Sequence, residues 1–433
     1  MEGLYEVFGN LLMRSCERSF MNLREKVRRH TKDIREGERA DINVGFIDGS
    51  LSFDDRRGVG VFLFSACGLI VDGKSLRMHE FFCTSKSPVP HILFPKFLVQ
   101  TRGNNLMSIF ELMVALSMIR TESAHLILMD GSYISTLLAP AGALRALYRD
   151  IRNRLDRLRV QRFIDEVNSF LQEVIEKRFP GILEMKDAKR CFINFLMSSR
   201  NIATDFYRRL YHICSGAGIG EVSMDLLNYS NMCVEENFFL FLLDFVLEEA
   251  KDKGIAVAWF AKDSDSRFIT RGDDHLKWLT DEAFLDEVWK DLSNVYIRIS
   301  DISSLSPISH GRAAVRSVAD KGDCIFQYDL AERFYKEWGG YDGIYVKFLK
   351  GPVFQITLPA HFSSVIDRIP SILLPMCEKR TGCPRPIIYV HFKALMKESV
   401  ARLFADELWF KTPRTEWLIR VMLSRSGRRR IGV

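Results

Sequence analysis

The chain has 433 residues, 47% hydrophobic and 27% charged, with a formal net charge of +6. That balance describes a globular protein too long for one core and excludes a disordered or fibrous chain. The mild positive excess permits a nucleic-acid partner without demanding one.

Residues 1–40 read as a basic, helix-patterned N-terminal arm carrying Arg24, Lys26, Arg28, Arg29 and Lys32. Residues 41–143 read as an α/β half. Asn43-Val44-Gly45-Phe46-Ile47 predicts a strand ending at Asp48, with Asp48-Gly49-Ser50 as the following turn. Gly58 to Val71 predicts a second strand and Leu76 to Cys83 a third, joined through Asp72-Gly73-Lys74, a good hairpin signal. Leu106 to Ile119 predicts a helix in which Glu111 sits among Ile109, Phe110, Leu112 and Met113. Leu126-Ile127-Leu128-Met129 predicts a strand that ends on Asp130-Gly131-Ser132.

Residues 144–253 read as a large helical insertion. Leu144, Tyr148, Ile151, Leu155 and Leu158 alternate spacings of four and three, and the alternation restarts at Phe163, Val167, Phe170 and Val174. Such a seam is coiled-coil-like, and it is expected to help build a homodimer around a basic passage. Arg145, Arg149 and Arg152 lie on the same stretch and are candidate DNA contacts. Gly216-Ala217-Gly218-Ile219-Gly220 lacks the spacing of a phosphate cradle and is read as a loop; there is no Walker A sequence either. The chain is not expected to hydrolyse nucleotide.

Residues 254–433 read as the second half of the α/β unit. Ile255 to Phe260, Val295 to Ile299, Ile344 to Phe348 and Val353 to Leu358 predict strands, the last two a hairpin. Pro384 to Trp409 predicts a helix, followed by a basic cluster from Arg425 to Arg430. The most apolar run, Phe238 to Leu247, contains Asp244 and is too short to span a bilayer. The nine cysteines include no Cys-x-x-Cys, so reduced thiols in the cytoplasm are expected.

The order strand, strand, strand, helix, strand opens a ribonuclease H-like fold, and Asp48, Glu111 and Asp130 fall on its first strand, first helix and fourth strand. A carboxylate at a buried strand end needs compensation, and a divalent cation compensates it while doing chemistry. Lys262 follows the strand ending at Phe260, and His391 opens an apolar helix. Tyr345 and Lys347 alternate on one strand and so share one side of the sheet.

Taken in order, Ile47-Asp48-Gly49-Ser50, Phe110-Glu111, Leu128 to Ser132, Phe260 to Ser264, Tyr345-Val346-Lys347, and Pro384-Arg385-Pro386 through His391 resemble the NurA nucleases. These are archaeal DNA-end-processing enzymes with ribonuclease H-like folds. The resemblance implies an α/β, ribonuclease H-like mixed sheet with a helical insertion. It also implies a deoxyribonuclease using manganese or magnesium, two ions per site, bridged by Asp48 and held with Glu111, Asp130 and His391. Lys262 completes the catalytic set, and Tyr345 and Lys347 join the DNA contacts. The resemblance further implies a homodimer and a HerA-like hexameric translocase as partner. Where the family often has tyrosine, this chain has Cys383. Two other classes share parts of the pattern: actin-like or sugar-kinase phosphotransferases, which need a second glycine-rich phosphate turn, and a non-catalytic DNA-binding ring adaptor.

Overall fold

The computed structural model describes residues 11–35, 42–138, 146–147, 156–185, 187–215, 222–302 and 329–425. Its centre is a mixed sheet of ten strands. In chain order they are β1 (Lys32–Asp33), β2 (Asn43–Asp55), β3 (Gly60–Asp72), β4 (Met78–Cys83), β5 (Val89–Leu93), β6 (Leu126–Asp130), β7 (Ala256–Ala261), β8 (Val295–Arg298), β9 (Tyr341–Lys347) and β10 (Val353–Pro359). Their spatial order is β1-β8-β9-β10-β7-β6-β2-β3-β4, with β5 paired to β3. Among the described residues only β2–β6 and β6–β7 are parallel. This is the ribonuclease H-like arrangement with a helical insertion between β6 and β7, as expected from the sequence.

The first strand is longer than its sequence suggests. β2 does not stop at Asp48 but pairs with β3 from Asn43↔Asp72 to Asp55↔Gly60. Asp48-Gly49-Ser50 is therefore mid-strand, not a turn. The polar residues that looked like a loop alternate on one side, where the C-terminal helices satisfy them. Ser52 Oγ donates to the carbonyls of Lys397 and Glu398 and accepts from the Ala401 N–H. Asp54 pairs with the buried Arg56, which also pairs with Asp406.

Helix α1 (Leu11–His30) precedes β1, and α2 (Val99–Arg120) lies across β2 and β3. The insertion contributes α3 (Arg157–Glu173), α4 (Ala188–Ser215) and α5 (Val222–Asp252). Phe163, Val167, Phe170 and Val174 are fully buried inside this same chain, with Phe170 stacked on Phe206 of α4. That half of the apolar seam is thus covered by its own protomer, whereas Leu158 is exposed. Leu144, Tyr148, Ile151, Leu155, the loop 216–220 and the tail beyond Arg425 lie outside the described residues. The expected single C-terminal helix is two, α6 (Arg385–Ala394) and α7 (Glu398–Lys411), followed by α8 (Trp417–Leu423). Leu395, at the end of α6, is in extended backbone. The break lets Met396 N–H reach Ser50 Oγ at 3.2 Å, which seats the chain on β2. Among the described residues no helix is long and apolar enough to cross a membrane.

Candidate active site

Side chains alternate across a strand, and β2 uses both sides. Ser50 and Ser52 face α6 and α7, so Asp48 faces them too. Gly45 and Gly49 face α2: a Cβ at Gly45 would meet Met118, and one at Gly49 would meet Glu111. Glu111 therefore reaches β2 from the α2 side, over the space that only glycine leaves. A Cβ at Gly49 would lie 2.7 Å from Glu111 Oε1 and 3.0 Å from its Cγ.

On the other side Asp48, 2% exposed, is tethered twice. Lys262, at the exit of β7, places its ammonium 3.2 Å from Asp48 Oδ2 and 3.2 Å from Asp130 Oδ1. His391 Nδ1 on α6 is 2.9 Å from Asp48 Oδ2 and 3.5 Å from Lys262 Nζ. A carboxylate accepts, so His391 Nδ1 is the donor to Asp48, and Nε2 is the nitrogen left for another partner. A small cleft lined by Phe46, Leu128, Phe260, Ile387 and Val390 opens on Asp48 and Asp130.

Charge is unbalanced here. Burial pushes the Glu111 carboxyl well above the usual range, and the charges of Asp48 and Asp130 push it further; its hydrogen bond from the Gly49 N–H pulls the other way. Asp130 is raised by burial and by Asp48, against Lys262. For Lys262, burial alone would lower its affinity for a proton, but Asp48 and Asp130 together raise it. One ammonium thus serves three carboxyl groups, two of which hold their protons more tightly than usual. Asp48, Asp130 and His391 all meet at that ammonium, and the donor set of carboxylate oxygens and imidazole suits a hard divalent ion. Their chemistry fits such an ion. With Lys262 in place they are not yet a coordination shell: among the described residues no three His, Cys, Asp or Glu side chains are arranged to hold one.

The structure brings Asp48, Glu111, Asp130, Lys262 and His391 into one region. Cys383 is buried nearby, and burial pushes its thiol up to about 11, with Lys262 opposing and Asp130 adding. Tyr345 and Lys347 are elsewhere. They do share one side of β9, but that side is covered. The Tyr345 hydroxyl donates to Asp281 at 2.7 Å, and Lys347 Nζ donates to the Trp289 carbonyl at 3.1 Å. Both are buried, so the expectation that they contact DNA is corrected: they hold the helix Asp281–Val288 to the sheet. Arg145, Arg149 and Arg152 lie outside the described residues. Gly49 was legible only as part of a turn motif, and its role as the opening for Glu111 needed the register of β2.

A sheet in ribonuclease H-like order, with acids on β2, on α2 packed against it and on β6, defines the class: an α/β protein with a carboxylate, lysine and histidine centre. The NurA domain family matches residues 42–394, and the chain belongs to that family. Solved structures share the fold. The NurA nuclease from Sulfolobus solfataricus is 17% identical, with 95% of this chain and 98% of that chain covered and a TM-score of 0.52. A NurA bound to dAMP and manganese is 14% identical, with 92% and 95% covered and a TM-score of 0.58. A NurA with manganese is 16% identical, with 96% and 99% covered and a TM-score of 0.54. No curated protein matches the chain.

Proposed function

We propose that this chain is a divalent-metal-dependent deoxyribonuclease. It acts as an exonuclease on single- and double-stranded ends and as an endonuclease on single strands. It works in the cytoplasm as a homodimer, in DNA end resection for double-strand-break repair, with a HerA-type hexameric translocase driving duplex toward it. The observation that carries this reading is the meeting of Asp48, Asp130, Lys262 and His391 from four separate elements around one ammonium. The manganese bound by a relative of the same fold supports the choice of ion.

Asp48 and Asp130, with His391 and Glu111, are the residues that would hold manganese or magnesium, two ions per site. Such an ion supplies positive charge where a phosphodiester gathers negative charge as it is cut. The chain's own groups do the rest. His391 and Lys262 both hold Oδ2 of Asp48, so the orientation of the carboxylate is set before substrate arrives. The Lys262 ammonium is placed to neutralise a phosphate oxygen. His391, with Nδ1 committed to Asp48, keeps only Nε2 for the ion or, as the alternative role, for delivering a proton. The low-dielectric surroundings of Glu111 make the centre need added cation charge.

The test is cleavage of a short labelled single strand with manganese, with magnesium and with chelator, by wild type and by Asp48→Asn. Cleavage only with metal, lost in the variant while DNA binding persists, is expected. DNA binding without cleavage under either metal would instead leave the ring adaptor. For the partner, resection of long duplex should need the translocase and ATP. Equal rates with and without them would remove that part of the reading.

A further inference from the structure

The rim of the centre carries an apolar group that folding does not explain. Phe392 follows His391 on α6 and is 68% exposed, with its ring centroid 5.9 Å from the His391 ring. Leu395, one turn beyond His391, is also exposed. The next residue, Met396, hydrogen-bonds Ser50, two positions along β2 from Asp48. Phe392 and Leu395 therefore border the carboxylates rather than a remote surface. A large ring left in water gives up the stabilisation that burial would bring, and an exposed apolar group at the mouth of a polar site marks a surface that something else covers.

The surroundings say what kind of molecule that is. Lys393, paired with Glu80 at 3.2 Å, lies 5.3 Å over the Tyr389 ring, and the Lys262 ammonium stands 3.5 Å from His391 Nδ1, so this part of α6 sets aromatic rings next to cations. Single-stranded nucleic acid is gripped by this combination, cation to phosphate and ring to base. Resting on the nuclease reading above, we infer that Phe392 is the platform on which the base beside the cleaved phosphate stacks, with Leu395 extending the apolar floor. In a duplex that base face is occupied by its neighbours and its partner strand, so the platform is filled only when the end is unpaired. Because every base has a π-face, the platform selects strand form and not sequence. Phe392 is thus a specificity-determining residue, and the duplex must be opened before its strand can seat.

The experiment compares wild type, Phe392→Ala and Phe392→Trp on a short single strand and on the same strand with an abasic position at the cleavage site. Phe392→Ala should raise KM on the intact strand by about tenfold with kcat little changed, and Phe392→Trp should restore it. On the abasic strand, wild type should fall to the level of the Ala variant and the variant should lose nothing more. An equal loss by Phe392→Ala on both strands would overturn the platform. So would a change from dimer to monomer by light scattering, which would make Phe392 an interface residue. Quenching of a 2-aminopurine strand in chelator tests stacking without cleavage: wild type should quench and Phe392→Ala should not. Quenching with no cleavage under any metal would keep the platform and sink the nuclease reading. Cleavage with equal quenching by both proteins would do the reverse.

Discussion

Gly49→Ala is the smallest change that should disable the centre while leaving its carboxylates in the sequence. The new methyl carbon would stand 2.7 Å from Glu111 Oε1, 3.0 Å from Glu111 Cγ and 3.0 Å from Met107 Cγ. Ordinary carbon contacts begin about half an ångström further out. Neither neighbour touches it with the loose end of a side chain: Glu111 is anchored by the Gly49 N–H, and Met107 presents its second carbon. Overpacking of this kind costs about 1–3 kcal/mol. A displacement of about 1 Å in a positioned catalytic group costs about a hundredfold in rate. The expected result is a folded protein with a modestly lower melting temperature and manganese-dependent cleavage reduced by about two orders of magnitude. Gly181→Ala is the control, since apart from its chain neighbours and its own helix backbone no described atom lies within 4 Å of its added carbon, and it should cleave as wild type does without loss of stability. Wild-type cleavage by Gly49→Ala protein whose stability has dropped would refute the reasoning, because it would separate the position of Glu111 from the chemistry.

Glu111→Gln and Asp130→Asn should each abolish cleavage while circular dichroism and DNA affinity stay near wild type; retained cleavage in either removes that carboxylate from the ion-binding set. Tyr345→Phe deletes the hydrogen bond to the buried Asp281 and should lower stability by about 1–3 kcal/mol without changing DNA affinity, and a loss of affinity at unchanged stability would reinstate Tyr345 as a contact. Glu282 accepts a bond from the Ser264 N–H on one oxygen and has no partner on the other; burial first, then Asp263, Asp286 and Asp265, push it up to about 7. Its folded form holds the proton more tightly than its unfolded form, so it favours folding fully below the ordinary carboxylate range and loses that contribution as pH rises to about 7. Denaturant titrations from about pH 5 to about pH 8 should therefore show wild type losing about 1–2 kcal/mol relative to Glu282→Gln, after allowance for partial solvent exposure, and parallel pH profiles would exclude the shift.

The acids were legible because their neighbours were unambiguous. Glu111 sits in an apolar run, and Asp130 follows four apolar residues, so strand and helix could be placed and the order of elements read. Lys262 and His391 were legible by their likeness to an ordered family pattern, not by local chemistry. What the sequence hid was register. Asp48-Gly49-Ser50 carries turn residues, yet β2 runs through them because its polar side is satisfied by helices more than 340 positions later. Tyr345 and Lys347 failed for a related reason. Alternation assigns two residues to one side of a strand, but only packing decides whether that side meets water or, as here, Asp281 and Trp289. Leu395 to Lys397 gave no breaking signal such as glycine or proline, so two helices read as one.

The bond between His391 and Asp48 joins residues 343 positions apart, Ser52 in the far half of β2 is held by Lys397, and Arg56 just beyond it by Arg402 and Leu423. During synthesis on the ribosome, Asp48, Glu111 and Asp130 emerge long before the segment that orients them. A nascent chain therefore carries the acids of the centre without its geometry. Proteolytic loss of the segment after Pro384 would remove the partners of Asp48, Ser50 and Ser52 together, and would leave a finished molecule with the same acids and none of that geometry.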